Sequence, residues 1–359
     1  MNNIARGYSH RIKNSEDHAL PHDNRPNCFG DFHEYAWADA FYNQDSKQFL
    51  AMFHADVTQS ASTSPYVNFG RDEVATTFGW ASNFYQRCDF IYQASTDSLE
   101  FLEWELTTAN NMLMTGMTVL TKDDQGKVIK VFNGHRNLME TVIFPDHFVK
   151  GPKGKGIVSL FHKKAVKKYG LELRYPRNPA GFNAVASVSE APYVNALRLA
   201  STKSFFDILA DDVILSSSYV VDTVVGREAV SECLQLMASF YEHCTFTAQA
   251  NYNNRTYLLY NGRLRNGLVV SDGFLILVRD DQGKITEVLD NPIPLHAGTL
   301  ISAYLAKHHA DKSFAEDFFY SDKLFQKAVD KYSLNGVHGK ETRDLSSYKG
   351  FIAQFFIQV

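Results

Sequence analysis

The five residues Asp123-Asp124-Gln125-Gly126-Lys127 decide the fold, because the chain contains them twice. They recur as Asp280-Asp281-Gln282-Gly283-Lys284, 157 positions later. An apolar run precedes and follows each copy, and β-rich runs joined by an Asp/Gly/Lys turn predict a β-hairpin. One copy would be typical of any surface hairpin, but its recurrence indicates an internal repeat.

The repeat extends upstream with a shift of 156 positions. Its best-matched block is Phe84-Tyr85 with Cys88 and Phe90, which aligns with Phe240-Tyr241, Cys244 and Phe246. Other matched pairs are Asp56-Val57 with Asp212-Val213, Gly70-Arg71 with Gly226-Arg227, and Gln93-Ala94 with Gln249-Ala250. One residue added before Gly116 changes the shift to 157. The chain is therefore predicted to contain a tandem duplication.

The duplication divides the chain into five predicted segments. They are a polar N-terminal arm (1–33), unit 1 (34–145), a basic linker (146–192), unit 2 (193–300) and a helical C-terminal extension (301–359). Within each unit, the periodicity of apolar residues predicts two helices, a strand, a longer helix and then a meander of antiparallel strands. We therefore expect an α+β fold of two tandem domains, each a curved antiparallel sheet wrapped around helices.

Composition excludes several classes of function. The 359 residues carry a formal net charge of −4, which gives no reason to expect nucleic-acid or membrane binding. No apolar run reaches the length of a membrane span, and the N-terminus lacks the apolar core of a signal peptide, so the default location is the cytoplasm. Neither the four cysteines nor the N-terminal histidines (His10, His18, His22 and His33) have the spacing of a metal site.

Three stretches of unit 2 resemble the SnoaL-like branch of the nuclear transport factor 2-like superfamily. They are the turn Ala210-Asp211-Asp212-Val213, the helix start Gly226-Arg227-Glu228-Ala229-Val230, and the hairpin from Asp281 to Asp290. The resemblance covers the two units and implies a cone-shaped, cystatin-like α+β roll with a pocket in its mouth. Family members commonly dimerise through the open face of the sheet. Two copies in one chain therefore imply an intramolecular pseudo-dimer, and a homodimer is also open.

The resemblance directs attention to the last strand of each unit. In the SnoaL-like pattern a His and an Asp two residues apart point into the pocket, because side chains alternate faces along a strand. Unit 2 keeps the acid as Asp290 and has Val288 in place of the histidine. Unit 1 has Asn133 in place of the acid, and His135 shares its face. Since an apolar pocket suits a carboxyl group to proton transfer, Asp290 is the first catalytic candidate; alternatively, it makes a turn where the strand ends.

The first helix of each unit supplies a second pair of candidates. Ketosteroid isomerases of the superfamily place an oxyanion-donating Tyr there, and the matching positions are Tyr193 and Trp37. Those isomerases also carry a general-base Asp after the turn, but Ala61 and Ser217 occupy the matching positions. Steroid-type isomerisation by that mechanism is therefore disfavoured, and the alternative reading, that Tyr193 is an ordinary core aromatic of the helix, is preferred.

Paired carboxylates on the third strand are further candidates. Glu103 and Glu105 share one face, and unit 2 has Tyr260 beside them in the alignment, followed by Arg263 and Arg265. Such carboxylates could hold a proton or a water. Alternatively, they form the solvent face, or pair with Arg263 and Arg265 across the pseudo-dimer.

These residues lead to one preferred function and one alternative. The preferred function is a cofactor-independent acid–base enzyme of secondary metabolism, a cyclase, isomerase, dehydratase or hydratase acting on an apolar small molecule. Its catalytic candidates are Asp290, Tyr193, Glu103 and His135, and its substrate-binding candidates are Asn133, Glu105, Trp37, Arg263, His54 and Tyr260. The units disagree at every candidate position, so only one is expected to be active. The alternative is a non-catalytic ligand-binding or assembly protein.

Overall fold

The structure is a computed structural model, which describes two units and part of the chain around them. The described residues are 33–64, 67–108, 113–138, 182–184, 188–221, 223–265, 269–293 and 295–318. The predicted arm lies outside this range except for His33, as do most of the linker and all residues after 318. The boundaries predicted for those three segments therefore stay predictions.

Unit 1 begins with two short helices and ends with four long strands. Its elements are α1 (Tyr35–Asn43), α2 (Ser46–Met52), β1 (Phe53–Ala61), β2 (Asn68–Phe69), α3 (Arg71–Phe84), β3 (Tyr85–Ser95), β4 (Leu99–Thr108), β5 (Leu113–Lys122) and β6 (Val128–His135).

Unit 2 repeats this order, with one additional strand before it and one additional helix after it. Its elements are β7 (Phe182–Ala184), α4 (Ala191–Leu199), α5 (Thr202–Phe206), β8 (Leu209–Ser217), β9 (Val224–Val225), α6 (Arg227–Phe240), β10 (Tyr241–Tyr252), β11 (Arg255–Leu264), β12 (Val269–Arg279), β13 (Ile285–Asn291) and α7 (Leu295–His308). A 3₁₀ turn, Ser313–Asp317, follows α7.

The two sheets have the same strand order, which confirms the predicted α+β class with two tandem domains. Sheet 1 runs β2-β1-β6-β5-β4-β3, and sheet 2 runs β9-β8-β13-β12-β11-β10 with β7 added at its outer edge. The predicted meander is antiparallel in both units, but each sheet as a whole is mixed. In each unit the first strand pairs in parallel with the last, β1 with β6 and β8 with β13, because the long helix carries the chain across the sheet before the meander returns.

Both predicted hairpins are confirmed, and they have the same geometry. The Asp123 carboxylate accepts hydrogen bonds from the amides of Gln125 and Lys127, and Asp280 does the same for Gln282 and Lys284. The turn glycines have φ angles of +76° and +77°, a region that costs other residues about 1–2 kcal/mol. The turn forms its hydrogen bonds within five residues, so each copy needs the same short sequence, and the repeat could be identified from it.

Matching irregularities bend the two sheets at equivalent places. The register of β3 against β4 shifts between Tyr85 and Arg87 and again between Phe90 and Tyr92. In β10 it shifts between Tyr241 and His243 and between Phe246 and Ala248, which are the repeat-equivalent positions. A bulge bends its strand and increases the local twist, so both sheets curve around their helices.

Three apolar clusters hold the described chain together. One fills unit 1 around Trp37 and Trp104, and one fills unit 2 around Tyr193 and Tyr260. The third lies between the convex faces of the two sheets and contains Phe101, Met117 and Phe132 from unit 1 with Tyr257, Phe274 and Ile276 from unit 2. Strand alternation explains the division, because neighbouring residues of one strand face different clusters.

The helix α7 extends the core of unit 2. It begins at Leu295, within the predicted unit 2, and its residues Leu300, Ile301 and Tyr304 are fully buried in the unit 2 cluster. The Tyr304 ring stacks on Phe240 of α6 with centroids 4.4 Å apart. Of the predicted helical extension (301–359), the described part continues α7 to His308 and then forms the 3₁₀ turn. No helix in the described ranges is long and apolar enough to cross a membrane.

Candidate functional site

Strand β13 places Asp290 inside unit 2. Val288, two residues earlier, belongs to the unit 2 core, whereas Leu289 belongs to the cluster between the sheets. Asp290 therefore points inward, and only 2% of it is exposed. A carboxyl group so far from water must be held by hydrogen bonds or take up a proton.

Two tyrosines hold the Asp290 carboxyl group. The Tyr260 hydroxyl on β11 donates to Oδ1 at 2.7 Å, and the Tyr219 hydroxyl in the loop after β8 donates to Oδ2 at 3.0 Å. Burial raises the pKa of Asp290 to about 6, although the two hydrogen bonds act to lower it. The group can therefore gain or lose a proton near neutral pH, which general acid–base catalysis requires.

Two more tyrosines complete the polar group around Asp290. The Tyr241 hydroxyl lies 3.5 Å from the Tyr260 hydroxyl. The Tyr193 hydroxyl on α4 is buried and has no hydrogen-bond partner among the described residues. Burial, followed by the nearby Asp290 carboxylate, raises the pKa of Tyr193 well above its ordinary value, so it remains a neutral donor. An unsatisfied hydroxyl in a core is unusual and marks a place where a ligand oxygen could bind.

A glycine makes room for the central tyrosine. A Cβ atom added at Gly273 on β12 would lie 2.1 Å from the Tyr260 ring, which crosses the strand at that point. Gly116 has the same relation to Trp104 in unit 1, at 2.5 Å. Both units therefore need a glycine at this position, because an aromatic ring from the neighbouring strand occupies the space that a Cβ atom would fill.

Unit 1 replaces this titratable site with a neutral one. Trp104 occupies the position of Tyr260, and its indole Nε1 donates to the Thr118 hydroxyl at 3.1 Å. Thr118 in turn donates to Oδ1 of Asn133, the counterpart of Asp290, at 2.5 Å. His135 lies in the same interior with its ring edge-on to Trp104, and burial lowers its pKa to about 3. Unit 1 thus lacks a carboxylate at the position where unit 2 has one.

Glu103 lies between the units and not in either interior. Its Oε1 accepts a hydrogen bond from Tyr257 at 2.6 Å and forms an ion pair with Nε of Arg255 at 3.1 Å. The predicted partners Arg263 and Arg265 were wrong: Arg263 is exposed, and Arg265 donates to the backbone of Ser239. Glu103 therefore does not lie with Asp290. It is at the contact between the sheets, where Arg255 is its ion-pair partner.

The other predicted contact residues are dispersed. Trp37 is fully buried among Phe41, Phe49, Phe53 and Phe78 in unit 1, and its Nε1 has no partner among the described residues. His54 is exposed on β1 and not on a helix; its ring accepts the Asp56 amide. Glu105 is half-buried on the same face as Glu103. The structure brings together Asp290, Tyr193 and Tyr260, and separately Asn133 and His135.

Sequence reasoning missed Tyr219 and Arg255. Tyr219 follows β8 in a loop, where no periodicity distinguishes it, and its unit 1 counterpart is Thr63. One signal was present in the repeat. Unit 2 has the large Tyr219 where unit 1 has the small Thr63, so this position differs between the units, as does the position of Asp290. Among the described residues, no group of three His, Cys, Asp or Glu side chains could hold a metal ion.

The raised pKa of Asp290 predicts a pH-dependent stability. Because the folded-state pKa of about 6 exceeds the ordinary 3.8, the folded protein holds this proton more tightly, and stability falls as the pH rises from about 4 to about 6. The expected loss is about 3 kcal/mol at this group. Urea unfolding should be measured for the wild type and Asp290→Asn from pH 4 to 7. As the pH rises, the free energy of unfolding of the wild type should fall relative to that of the variant. Parallel curves for the two proteins would contradict the assignment.

Comparisons with known proteins give structural similarity over less than a third of the chain. No family model matches the chain, and a search of the curated proteins found no match. A bacterial protein with a cystatin-like fold from Silicibacter pomeroyi is 17% identical over 27% of this chain and 69% of its own, with a TM-score of 0.26. A steroid delta-isomerase from Pseudomonas aeruginosa is 16% identical over 29% and 76%, with a TM-score of 0.27. An NTF-2-like protein of unknown function from Burkholderia xenovorans is 11% identical over 28% and 80%, with a TM-score of 0.26. None of these values transfers an activity to this chain.

Proposed function

We propose that unit 2 is a cofactor-independent acid–base site that moves a proton on an apolar small molecule. The observation that carries this proposal is the buried Asp290 carboxyl group, which two tyrosine hydroxyls hold and whose pKa lies at about 6. Isomerisation, dehydration, hydration and cyclisation all require such a step. Unit 1 has an amide at this position and would not share the reaction.

The chemistry follows from which groups can accept and donate. The ionised Asp290 would take a proton from a carbon next to a substrate carbonyl, and the C–H electron pair would form the enolate. Tyr193, whose hydroxyl has no partner among the described residues, would donate to the enolate oxygen. Returning the proton to another carbon gives an isomer, and expelling a β-hydroxyl group as water gives a dehydration product. Glu103 and His135 have no part in this scheme, because they lie outside unit 2.

Asp290→Asn should slow proton transfer by about 10²-fold while leaving the fold intact. The test uses 2-tetralone, an apolar ketone with acidic α-hydrogens, and follows its deuterium uptake from D₂O by NMR at pH 7. We expect the wild-type protein to accelerate exchange and Asp290→Asn to lose on the order of 10²-fold of that rate, the usual contribution of a general base. The matched control is Asp212→Asn, an exposed change of the same kind on β8 of unit 2.

Two outcomes of this assay would reject the acid–base proposal. One is a wild-type rate no faster than buffer, and the other is equal rates for wild type and Asp290→Asn. Either would favour the second candidate, a non-catalytic ligand-binding or assembly protein. The observation in favour of that candidate is the close packing of the site, since Asp290, Tyr193, Tyr219 and Tyr260 are all at most 4% exposed.

We also propose that the contact between the sheets is an intramolecular pseudo-dimer interface. An apolar cluster supports this reading, together with ion pairs from Lys130 to Asp272 at 2.7 Å and from Arg136 to Glu287. Lys130 and Glu287 are equivalent positions of the repeat with opposite charges. Such a difference would favour pairing of unit 1 with unit 2 over pairing of identical units.

A further inference from the structure

The interior of unit 1 differs from that of unit 2 by coordinated replacements. Tyr260, Leu275 and Asp290 of unit 2 correspond to Trp104, Thr118 and Asn133 of unit 1. The three unit 1 side chains form one continuous hydrogen-bonded chain, Trp104 to Thr118 to Asn133. Unit 1 therefore has an organised, uncharged polar group where unit 2 has the acid.

The direction of this chain determines how the Asn133 amide is oriented. An indole N–H can only donate, so the Thr118 oxygen accepts from Trp104 and its own proton must go elsewhere. It goes to Oδ1 of Asn133 at 2.5 Å. The amide nitrogen of Asn133 then points away from Thr118, and it has no hydrogen-bond partner among the described residues. The result is an oriented, neutral N–H donor.

Asn133 is also accessible, unlike its counterpart. It is partly exposed, whereas Asp290 is 2% exposed. It nevertheless faces the interior, because Val131 on the same face of β6 belongs to the unit 1 core and Phe132 belongs to the cluster between the sheets. The side chain of Asn133 is thus partly reachable, and Thr118 links it to the buried Trp104.

The charge at this position restricts the class of ligand. Trp104, Thr118 and Asn133 are neutral at every pH of interest. His135, edge-on to Trp104, is neutral at pH 7 because burial lowers its pKa to about 3. A carboxylate or phosphate would therefore lose its hydration without gaining an opposite charge, which is costly. A neutral acceptor would be satisfied by the N–H group of Asn133.

From this geometry we infer that unit 1 binds a neutral apolar molecule through one carbonyl oxygen, which accepts a hydrogen bond from the Asn133 amide nitrogen. The apolar body of the ligand packs against Trp104. This site is independent of the acid–base site proposed for unit 2, since none of its residues belongs to that unit. The two halves of the chain would then bind similar molecules for different purposes.

Tryptophan fluorescence provides the test, because all three tryptophans (Trp37, Trp80 and Trp104) lie in unit 1. Three probes of similar shape are titrated: cyclohexyl methyl ketone, cyclohexanecarboxylate and ethylcyclohexane. We expect the ketone to bind about 5-fold or more tightly than the hydrocarbon, the usual gain from one neutral hydrogen bond, and the carboxylate to bind most weakly. A carboxylate that binds as well as the ketone would overturn the inference, and so would a ketone that does not bind up to its solubility limit.

Substitutions of Asn133 and Thr118 distinguish hydrogen bonding to the ligand from a purely structural role of these side chains. Asn133→Leu should remove the preference for the ketone over the hydrocarbon. Thr118→Val, which has nearly the same shape, should reduce it because the amide is no longer oriented, and Thr118→Ser should restore it. Circular dichroism verifies that each variant folds. Unchanged preference in both Asn133→Leu and Thr118→Val would refute the inference.

The deuterium-exchange assay separates this inference from the proposed function. Asp290→Asn should lose exchange while its fluorescence titration with the ketone remains unchanged. Asn133→Leu should lose the ketone preference whether or not unit 2 catalyses exchange. Each proposal can therefore fail alone.

Discussion

Replacing Arg255 with Met should destabilise the folded protein by about 3–5 kcal/mol, the usual cost of leaving one member of a buried ion pair without its partner. Arg255 and Glu103 side chains are each only 4% exposed, and Nε of the arginine lies 3.1 Å from Oε1 of the glutamate. The guanidinium group also lies 3.8 Å from the centre of the Tyr92 ring. Without Arg255, the Glu103 carboxylate would retain the Tyr257 hydroxyl as its one hydrogen-bond partner among the described residues.

Urea unfolding at pH 7, followed by tryptophan fluorescence and circular dichroism, measures this effect. The matched control is Arg263→Met on the same strand, which is exposed and should change stability by no more than about 0.5 kcal/mol. The double variant Glu103→Leu/Arg255→Met removes both charges and should recover most of the loss. Equal effects of Arg255→Met and Arg263→Met would show that the buried pair contributes nothing particular.

Lowering the pH from about 6.5 to about 3 should cost about 5 kcal/mol of folding stability at His135 alone. The side chain is 3% exposed, and burial lowers its pKa from 6.5 to about 3. The unfolded chain therefore takes up this proton below pH 6.5, whereas the folded chain resists it until about pH 3. The stabilisation is present above pH 6.5 and is lost progressively through this window.

Two uncharged replacements measure the contribution of His135. His135→Phe and His135→Gln should each remove the acid-dependent term, so the wild type loses stability relative to both variants as the pH falls. Their absolute stabilities will differ, because phenylalanine and glutamine pack differently against Trp104. If the wild-type and variant curves stay parallel from pH 7 to 3, His135 is not the responsible group.

The two titrating groups act in opposite directions. Acidification destabilises unit 1 through His135 and stabilises unit 2 through Asp290. Tryptophan fluorescence reports on unit 1 alone, since unit 2 contains no tryptophan. Comparing it with circular dichroism during acid titration should therefore show unit 1 changing first.

The fold followed from the sequence because its signals are local. The turn Asp123-Asp124-Gln125-Gly126-Lys127 makes its hydrogen bonds within five residues, so both copies could be recognised and placed between strands. The order of helices and strands within each unit agrees with the prediction because apolar periodicity is also local. The parallel pairing of β1 with β6 was missed, since it joins the ends of a unit and leaves no pattern in either strand.

The candidate site was only partly predictable. The resemblance to the SnoaL-like pattern selected Asp290 on the last strand and Tyr193 on the first helix, and the alternation of side chains along β13 predicted that Asp290 faces the interior. The sequence did not indicate that Tyr219 would reach Asp290, because the two residues are 71 positions apart and a loop carries one of them. Alternation also grouped Glu103 with Glu105 correctly, but it could not reveal which arginine would lie opposite.

The sequence by itself therefore determined the duplication, the order of elements and the face on which each strand residue lies, because turn chemistry and periodicity act over a few residues. The tertiary structure decided which side chains meet. Glu103 pairs with Arg255 and Tyr257 because two sheets pack at one particular register, joining residues that lie 154 positions apart in the case of Tyr257. Asp290 has tyrosine partners because one strand neighbour and one returning loop converge on it. Such contacts depend on the packing of whole layers, which no local pattern encodes.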